Sequence, residues 1–351
     1  MKRIAFQKLV RENVRSLRPY QAEEIPCRVK LDANESPYRI PAGLLAKKVA
    51  GVRLNRYPDP DARKLKKAVS RDLGVEPCNI LAGNGSDELI YYLIIAFGGP
   101  VLSPAPTFSM YGIISQALGA RHIGVPLDGN FDIDLRSMLA AIRKHRPKLI
   151  FLSSPNNPTG NCFSPEKIKK IIEASKGIVV VDEAYQPFSR GRGFLPQLKM
   201  HKNLAILRTL SKIGLASLRV GLLVGDEDLV GEVNKVRLPF NLNSLSQAAA
   251  LEALRDRKTI RSHINAIAAE RERVFGELSG MEGIEPYPSD ANFILFKVDD
   301  AHNVFLRLLK SGVLIRDLSG AIGGALRVTI GTPEENDAFI RALKKAAGRK
   351  R

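Results

Sequence analysis

The sequence predicts an α/β protein: a large domain with a mostly parallel central sheet covered by helices, and a smaller α+β domain after it. Three observations carry this. From about residue 75 to 225 short apolar runs alternate with amphipathic stretches, the mark of βα units. The runs are β-branched or leucine-rich and stop at polar or glycine residues. Beyond residue 245 the pattern changes to long helices. The expected division is a large domain over 29–245, with 1–28 and 246–351 forming an N-terminal arm and a small C-terminal domain.

Four runs are the clearest strands: Lys148 to Ser153, Gly177 to Asp182, Leu204 to Arg208 and Arg219 to Val224. Between the first two lies a helix with a readable start, Ser164 as N-cap, Pro165 at the first helical position and Glu166 in the first turn. Past residue 245, Ile260, Ile264, Ile267, Val274 and Leu278 mark one face of a helix of more than four turns. ANFILFKV, VFLRLLKSG, VLIRD and LRVTIG then spell a smaller α+β layer, closed by the helix PEENDAFIRALKKAAG.

Composition narrows the function classes. The chain has 351 residues, 44% hydrophobic and 26% charged, an ordinary globular balance with room for two domains. No apolar run reaches the ~18 residues of a membrane span, and charges break up the opening MKRIAFQKLVREN before a signal-peptide core can form, so a cytoplasmic location is expected. Cys27, Cys78 and Cys162 are odd in number and far apart; they read as reduced thiols and suggest no metal site. The net charge of +18 comes from basic residues scattered over helical stretches such as ARKLKKAVSRD. Without an RNP, zinc-finger or helix-turn-helix signature they read as solvated helix faces and not as a nucleic-acid surface, although the tail KKAAGRKR is a block that could act as an arm.

Chemistry concentrates at predicted strand ends. Gly83-Asn84-Gly85-Ser86-Asp87 opens a helix, with Ser86 a natural N-cap and its neighbouring N–H groups suited to an anion. Alone this is a weak signal, and it is no dinucleotide fingerprint, because Glu88 stands where GxGxxG needs glycine. Three polar clusters then end successive strands: SPNNPTG from Ser154, DEAY from Asp182 and TLSK from Thr209. Ligands of open α/β sheets bind at such carboxyl ends. Singly, Asp182 could be a strand-end cap, Tyr57 a core phenol and Asn157 a turn residue before proline. Together, a carboxylate, an amide, a phenol and a lysine are the protein's share of pyridoxal-phosphate chemistry.

On these residues the chain resembles the fold-type I, class I/II aminotransferases along essentially its whole length. Within them it is most similar to the histidinol-phosphate aminotransferases, through Pro19-Tyr20, LDANESPY, RYPD, GNGSDE, PTFSMY, SPNNPTG, VDEAY, TLSK and Leu326-Arg327-Val328. The resemblance implies that Lys212 links covalently to pyridoxal 5'-phosphate and shuttles the substrate proton. It implies that Asp182 pairs with the protonated pyridine nitrogen, that Asn157 and Tyr185 bond the 3-oxygen, and that Phe108 stacks on the ring. The phosphate would fall to Gly85, Ser86, Asp87, Ser211, Arg219 and Tyr57, the last from the partner subunit of a homodimer with shared sites. The family usually has one residue more between its lysine and this arginine than SKIGLASLR provides.

Arg327 stands where the family places its substrate-carboxylate arginine, and Arg316 lies eleven residues earlier on the preceding predicted strand. Two guanidinium forks suit a phosphate dianion, as histidinol phosphate carries, and glutamate would use the same arginines for its α-carboxylate in the reaction with 2-oxoglutarate. Tyr20 would add a neutral donor. A threonine-phosphate decarboxylase and an aromatic amino-acid aminotransferase share the cofactor residues and stand as rival readings, and a basic nucleic-acid-binding regulator is the non-enzyme alternative.

Overall fold

The computed structural model describes residues 6–19, 25–40, 43 and 49–348. Its centre is a seven-stranded sheet made of β2 (Ile80–Asn84), β3 (Val101–Ala105), β4 (His122–Pro126), β5 (Leu149–Ser153), β6 (Ile178–Asp182), β7 (Leu204–Thr209) and β8 (Val220–Gly225). The spatial order is β2-β8-β7-β6-β5-β3-β4. All neighbours are parallel except that β8 runs antiparallel to both β7 and β2. Chain length decides this: only residues 210–219 join β7 to β8, and a parallel return needs a longer crossover.

Helices α1 (Glu12–Arg15), α2 (Arg63–Leu73), α3 (Ser86–Phe97), α4 (Met110–Leu118), α5 (Leu135–His145), α6 (Pro165–Ala174), α7 (Glu227–Asn234) and α8 (Ser244–Ala253) accompany this sheet. Alternate strand residues feed two separate cores, since successive side chains of a strand point to opposite faces. Ile150, Leu152, Val179 and Val181 pack with Met138 of α5 and Ile168 of α6. Leu149, Phe151 and Val180 pack on the other face with Leu89 of α3, Ile114 of α4 and Val233 of α7. Both faces of the sheet are therefore covered.

The C-terminal part begins with α9 (Arg257–Ser279), which buries Ile260, Ile267, Val274 and Leu278 on one stripe. An antiparallel sheet in the order β12-β13-β10-β9 follows, from β9 (Ile284–Pro286), β10 (Phe293–Val298), β12 (Arg316–Asp317) and β13 (Ala325–Thr329). Helices α10 (Ala301–Lys310) and α11 (Pro333–Ala347) pack with it around a third core. The first strand, β1 (Val29–Lys30), pairs in parallel with β11 (Val313–Leu314), and Val29 and Leu31 join that third core, so the chain enters beside its own C-terminal layer.

One sequence-predicted cap differs, and one holds its position without a side-chain cap hydrogen bond. Helix α3 is capped by Gly85, not Ser86: at φ 82 the glycine turns the chain out of β2 and starts the helix at Ser86 itself. Ser164 holds the N-cap position of α6, but its hydroxyl donates to Asp132 at 2.6 Å instead of capping the helix. The hydroxyl is turned toward the Asp132 carboxylate, and its oxygen accepts from no N–H of the helix.

Candidate active site

Parallel register brings the ends of the central strands level: Ser153 stands beside Asp182, and Asp182 beside Leu207. Asp182 is 3% exposed. Its Oδ2 accepts a hydrogen bond from the Tyr111 hydroxyl at 2.7 Å and its Oδ1 accepts from the Ala184 N–H at 3.0 Å. Burial raises its carboxyl to about 6, with the Tyr111 and Ala184 hydrogen bonds pulling the other way. No basic side chain is hydrogen-bonded to it or ion-paired with it among the described residues. A protonated ring nitrogen would supply the missing positive partner.

A cavity opens over this carboxylate, lined by Asn157, Tyr185, Lys212, Phe108, Ser211 and Arg219 together with Ser86 and Asp87. At one end the chain makes an anion cradle. The N–H groups of the first turn of α3 are free of helical partners. Arg219 reaches the same turn: its backbone oxygen accepts from the Gly85 N–H at 2.7 Å, and its Nη2 lies 3.2 Å from Asp87 Oδ2. A side chain at Gly85 would meet the guanidinium at 2.5 Å, and one at Gly221 would meet the Gly85 carbonyl carbon at 2.4 Å. These two glycines let strand, turn and arginine approach one another closely at the start of α3. The short Lys212–Arg219 connection thus still delivers the arginine to the helix start.

Lys212 follows β7 in a 3-10 turn over Ser211–Ile213. It is half-buried, with Nζ 3.5 Å from the Ala33 oxygen and 5.7 Å from the centroid of the Tyr185 ring. Tyr185 is buried against Phe293 at 5.1 Å between centroids. Phe108 packs edge-on against Tyr111 at 5.6 Å, leaving its own ring on the cavity wall.

Neither Arg327 nor Arg316 is among the residues that line this cavity. Arg327 is buried; it donates from Nη1 to Asn157 Oδ1 at 2.5 Å and from Nη2 to the Asp32 oxygen at 2.7 Å, and sits 5.2 Å over the Phe293 ring. Arg316 is exposed and directly opposite Arg327 in the β12–β13 ladder. The neighbouring Asp317 pairs with His302 at 2.7 Å. Tyr57 is 82% exposed, stacked on Phe240 at 4.5 Å, and does not line the cavity of its own chain. Tyr20 lies outside the described residues.

The model of the family "Aminotransferase class I and II" matches residues 28–343. The chain belongs to that family. Among relatives, the histidinol-phosphate aminotransferase of Thermoanaerobacter pseudethanolicus is 45% identical over 349 residues, 97% of this chain and 99% of that protein. That of Aquifex aeolicus is 44% identical over 96% of this chain and 98% of its own length. The crystal structure of histidinol-phosphate aminotransferase from Sinorhizobium meliloti in complex with pyridoxal-5'-phosphate superposes with a TM-score of 0.86 at 26% identity, covering 96% of this chain and 97% of that one.

For an aminotransferase the donor set is chemically apt: a buried anion without a cation partner, an anion cradle at a helix start, and an amine between them. Sequence reasoning missed two residues. Tyr111 sits inside PTFSMY but touches Asp182 from 71 residues away, and Asn34 sits inside LDANESPY but touches Tyr185 from 151 residues away. Nothing local in either segment names its distant partner.

Proposed function

We propose that this aminotransferase is pyridoxal-phosphate-dependent and transfers the amino group of histidinol phosphate to 2-oxoglutarate, giving imidazole acetol phosphate and glutamate. The observation that carries the reading is one cavity holding Lys212, the buried Asp182 and the Arg219 cradle, in a chain similar over nearly its full length to histidinol-phosphate aminotransferases. When bound, pyridoxal phosphate would supply an electron sink that makes the proton on the amine-bearing carbon removable. Asp182 would offer its carboxylate to the ring nitrogen. Ser86, Ser211 and Arg219 would hold the phosphate, Asn157 and Tyr185 would donate to the 3-oxygen, and Phe108 would cover a ring face. Lys212, at the cavity wall, accepts and returns the substrate proton.

Arg327 and Arg316, with Tyr20, would grip the substrate's phosphate or carboxylate. The exposure of Tyr57 supports a homodimer in which this phenol completes the cofactor-phosphate site of the partner. No described helix is long and apolar enough to cross a membrane.

The test is direct. Purified protein given pyridoxal phosphate is expected to absorb in the visible and to form glutamate from histidinol phosphate and 2-oxoglutarate. Release of carbon dioxide from a phosphorylated amino acid would replace this reading with a decarboxylase, and preferred turnover of phenylalanine with an aromatic aminotransferase. A protein that takes up no pyridoxal phosphate would reject all three.

A further inference from the structure

Asn34, in the LDANESPY segment, is 2% exposed and adopts a left-handed backbone, φ 55, which asparagine tolerates better than most residues. All four of its polar groups are engaged. Its N–H donates to Thr329 Oγ1 at 2.9 Å, and its backbone oxygen accepts from Asn292 Nδ2 at 3.0 Å. Its Oδ1 accepts from the Thr329 hydroxyl at 3.1 Å, and its Nδ2 donates to the Tyr185 hydroxyl oxygen at 2.9 Å.

This set fixes directions as well as contacts. The Thr329 hydroxyl receives the Asn34 N–H, so its single proton goes to Oδ1, which determines which end of the amide faces Tyr185. A phenol oxygen that accepts an N–H keeps its own proton for another acceptor. Tyr185 lines the cavity with Asp182 and Lys212, so that proton is left for whatever oxygen binds there. Thr329 lies two residues from Arg327 on β13, so the same knot joins the tyrosine to the strand of the buried arginine.

We propose that Asn34 is a positioning residue: its amide holds the Tyr185 hydroxyl as a donor into the cavity and ties that orientation to the β13 strand carrying Arg327. The inference rests on the cofactor reading above, in which Tyr185 donates to the 3-oxygen.

Asn34→Asp tests it, because a carboxylate there accepts where the amide donated and draws the Tyr185 proton away from the cavity. In protein loaded with pyridoxal phosphate, the pH midpoint of the visible absorbance change should rise by roughly 0.5–1 pH unit, the size of one lost hydrogen bond. Tyr185→Phe should shift it similarly, and the double variant no further than Tyr185→Phe alone. Thr329→Val, which frees the amide to turn, should shift the midpoint the same way and covers the case in which Asn34→Asp does not fold. Unshifted midpoints, or shifts that add in the double variant, would overturn the role of Asn34 while leaving the cofactor reading intact. A wild-type protein with no visible band would overturn both.

Discussion

Arg316 and Arg327 are direct register partners in the antiparallel β12–β13 pair, so both side chains leave the sheet on the same face although they are eleven residues apart. Like charges directly opposite one another are unfavourable unless an anion lies between them. Arg327 is anchored on Asn157 and the Asp32 oxygen; Arg316 has no hydrogen-bond or ion-pair partner among the described residues, and Asp317 is held by His302.

That arrangement predicts a split between half-reactions. Arg316→Ala should lower kcat/KM for histidinol phosphate about ten- to a hundredfold, the loss of one charge-assisted contact worth roughly 1.5–3 kcal/mol. Glutamate, presenting fewer anionic oxygens, should suffer less. Arg327→Ala should damage both. Each half-reaction can be followed by the cofactor's spectral change, and equal, small effects of Arg316→Ala on both would reject the two-arginine clamp.

Lys212→Ala should abolish transamination while leaving the fold and some non-covalent cofactor binding. Its amine makes one long hydrogen bond to the Ala33 oxygen and lies 5.7 Å over the Tyr185 ring, both weak contacts, so the melting temperature should hardly move. Borohydride reduction of loaded wild-type protein, followed by peptide mapping, is expected to label Lys212. A label on another lysine would remove it from the proposed role.

Burial raises the Asp182 carboxyl from 3.8 to about 6 in the cofactor-free chain, so its neutral form is favoured on folding. The sign follows: the stability this group contributes is present below about pH 4 and is lost as pH rises through about 6, on the order of 3 kcal/mol for a shift of about two units. Asp182→Asn, uncharged throughout, should therefore be the more stable cofactor-free protein at pH 8, with little difference near pH 4. With pyridoxal phosphate present the order should reverse, because the carboxylate regains a cationic partner. Denaturant titrations of both proteins at several pH values, with and without cofactor, measure this; identical pH slopes without cofactor would show that the buried charge costs nothing.

The proposed sharing of the site between two subunits makes the fourth prediction. Lys212→Ala and Tyr57→Ala should each be inactive as homodimers, and mixing them should restore partial activity through hybrids containing one intact site. Verified subunit exchange with no recovery would count against Tyr57 acting across an interface.

Much of this was legible in the sequence because it is local. Hydrophobic runs announce β5, β6 and β7, and each ends in a contiguous polar cluster, so Asn157, Asp182 and Lys212 could be assigned to strand ends and the α/β class followed. The hydrophobic stripe of α9 was equally plain, since helical period is a property of one segment. What only tertiary structure decided depends on register and on how chain length closes loops. The ten-residue connection turned β8 antiparallel, Gly85 took the cap from Ser86, and cross-strand pairing set Arg316 against Arg327. Tyr111 met Asp182 and Asn34 met Tyr185 because the sheet and the C-terminal layer stack distant segments on one carboxyl edge. A hydrogen bond of 2.7–2.9 Å between residues 71 or 151 positions apart is fixed by that stacking, and no local pattern encodes it.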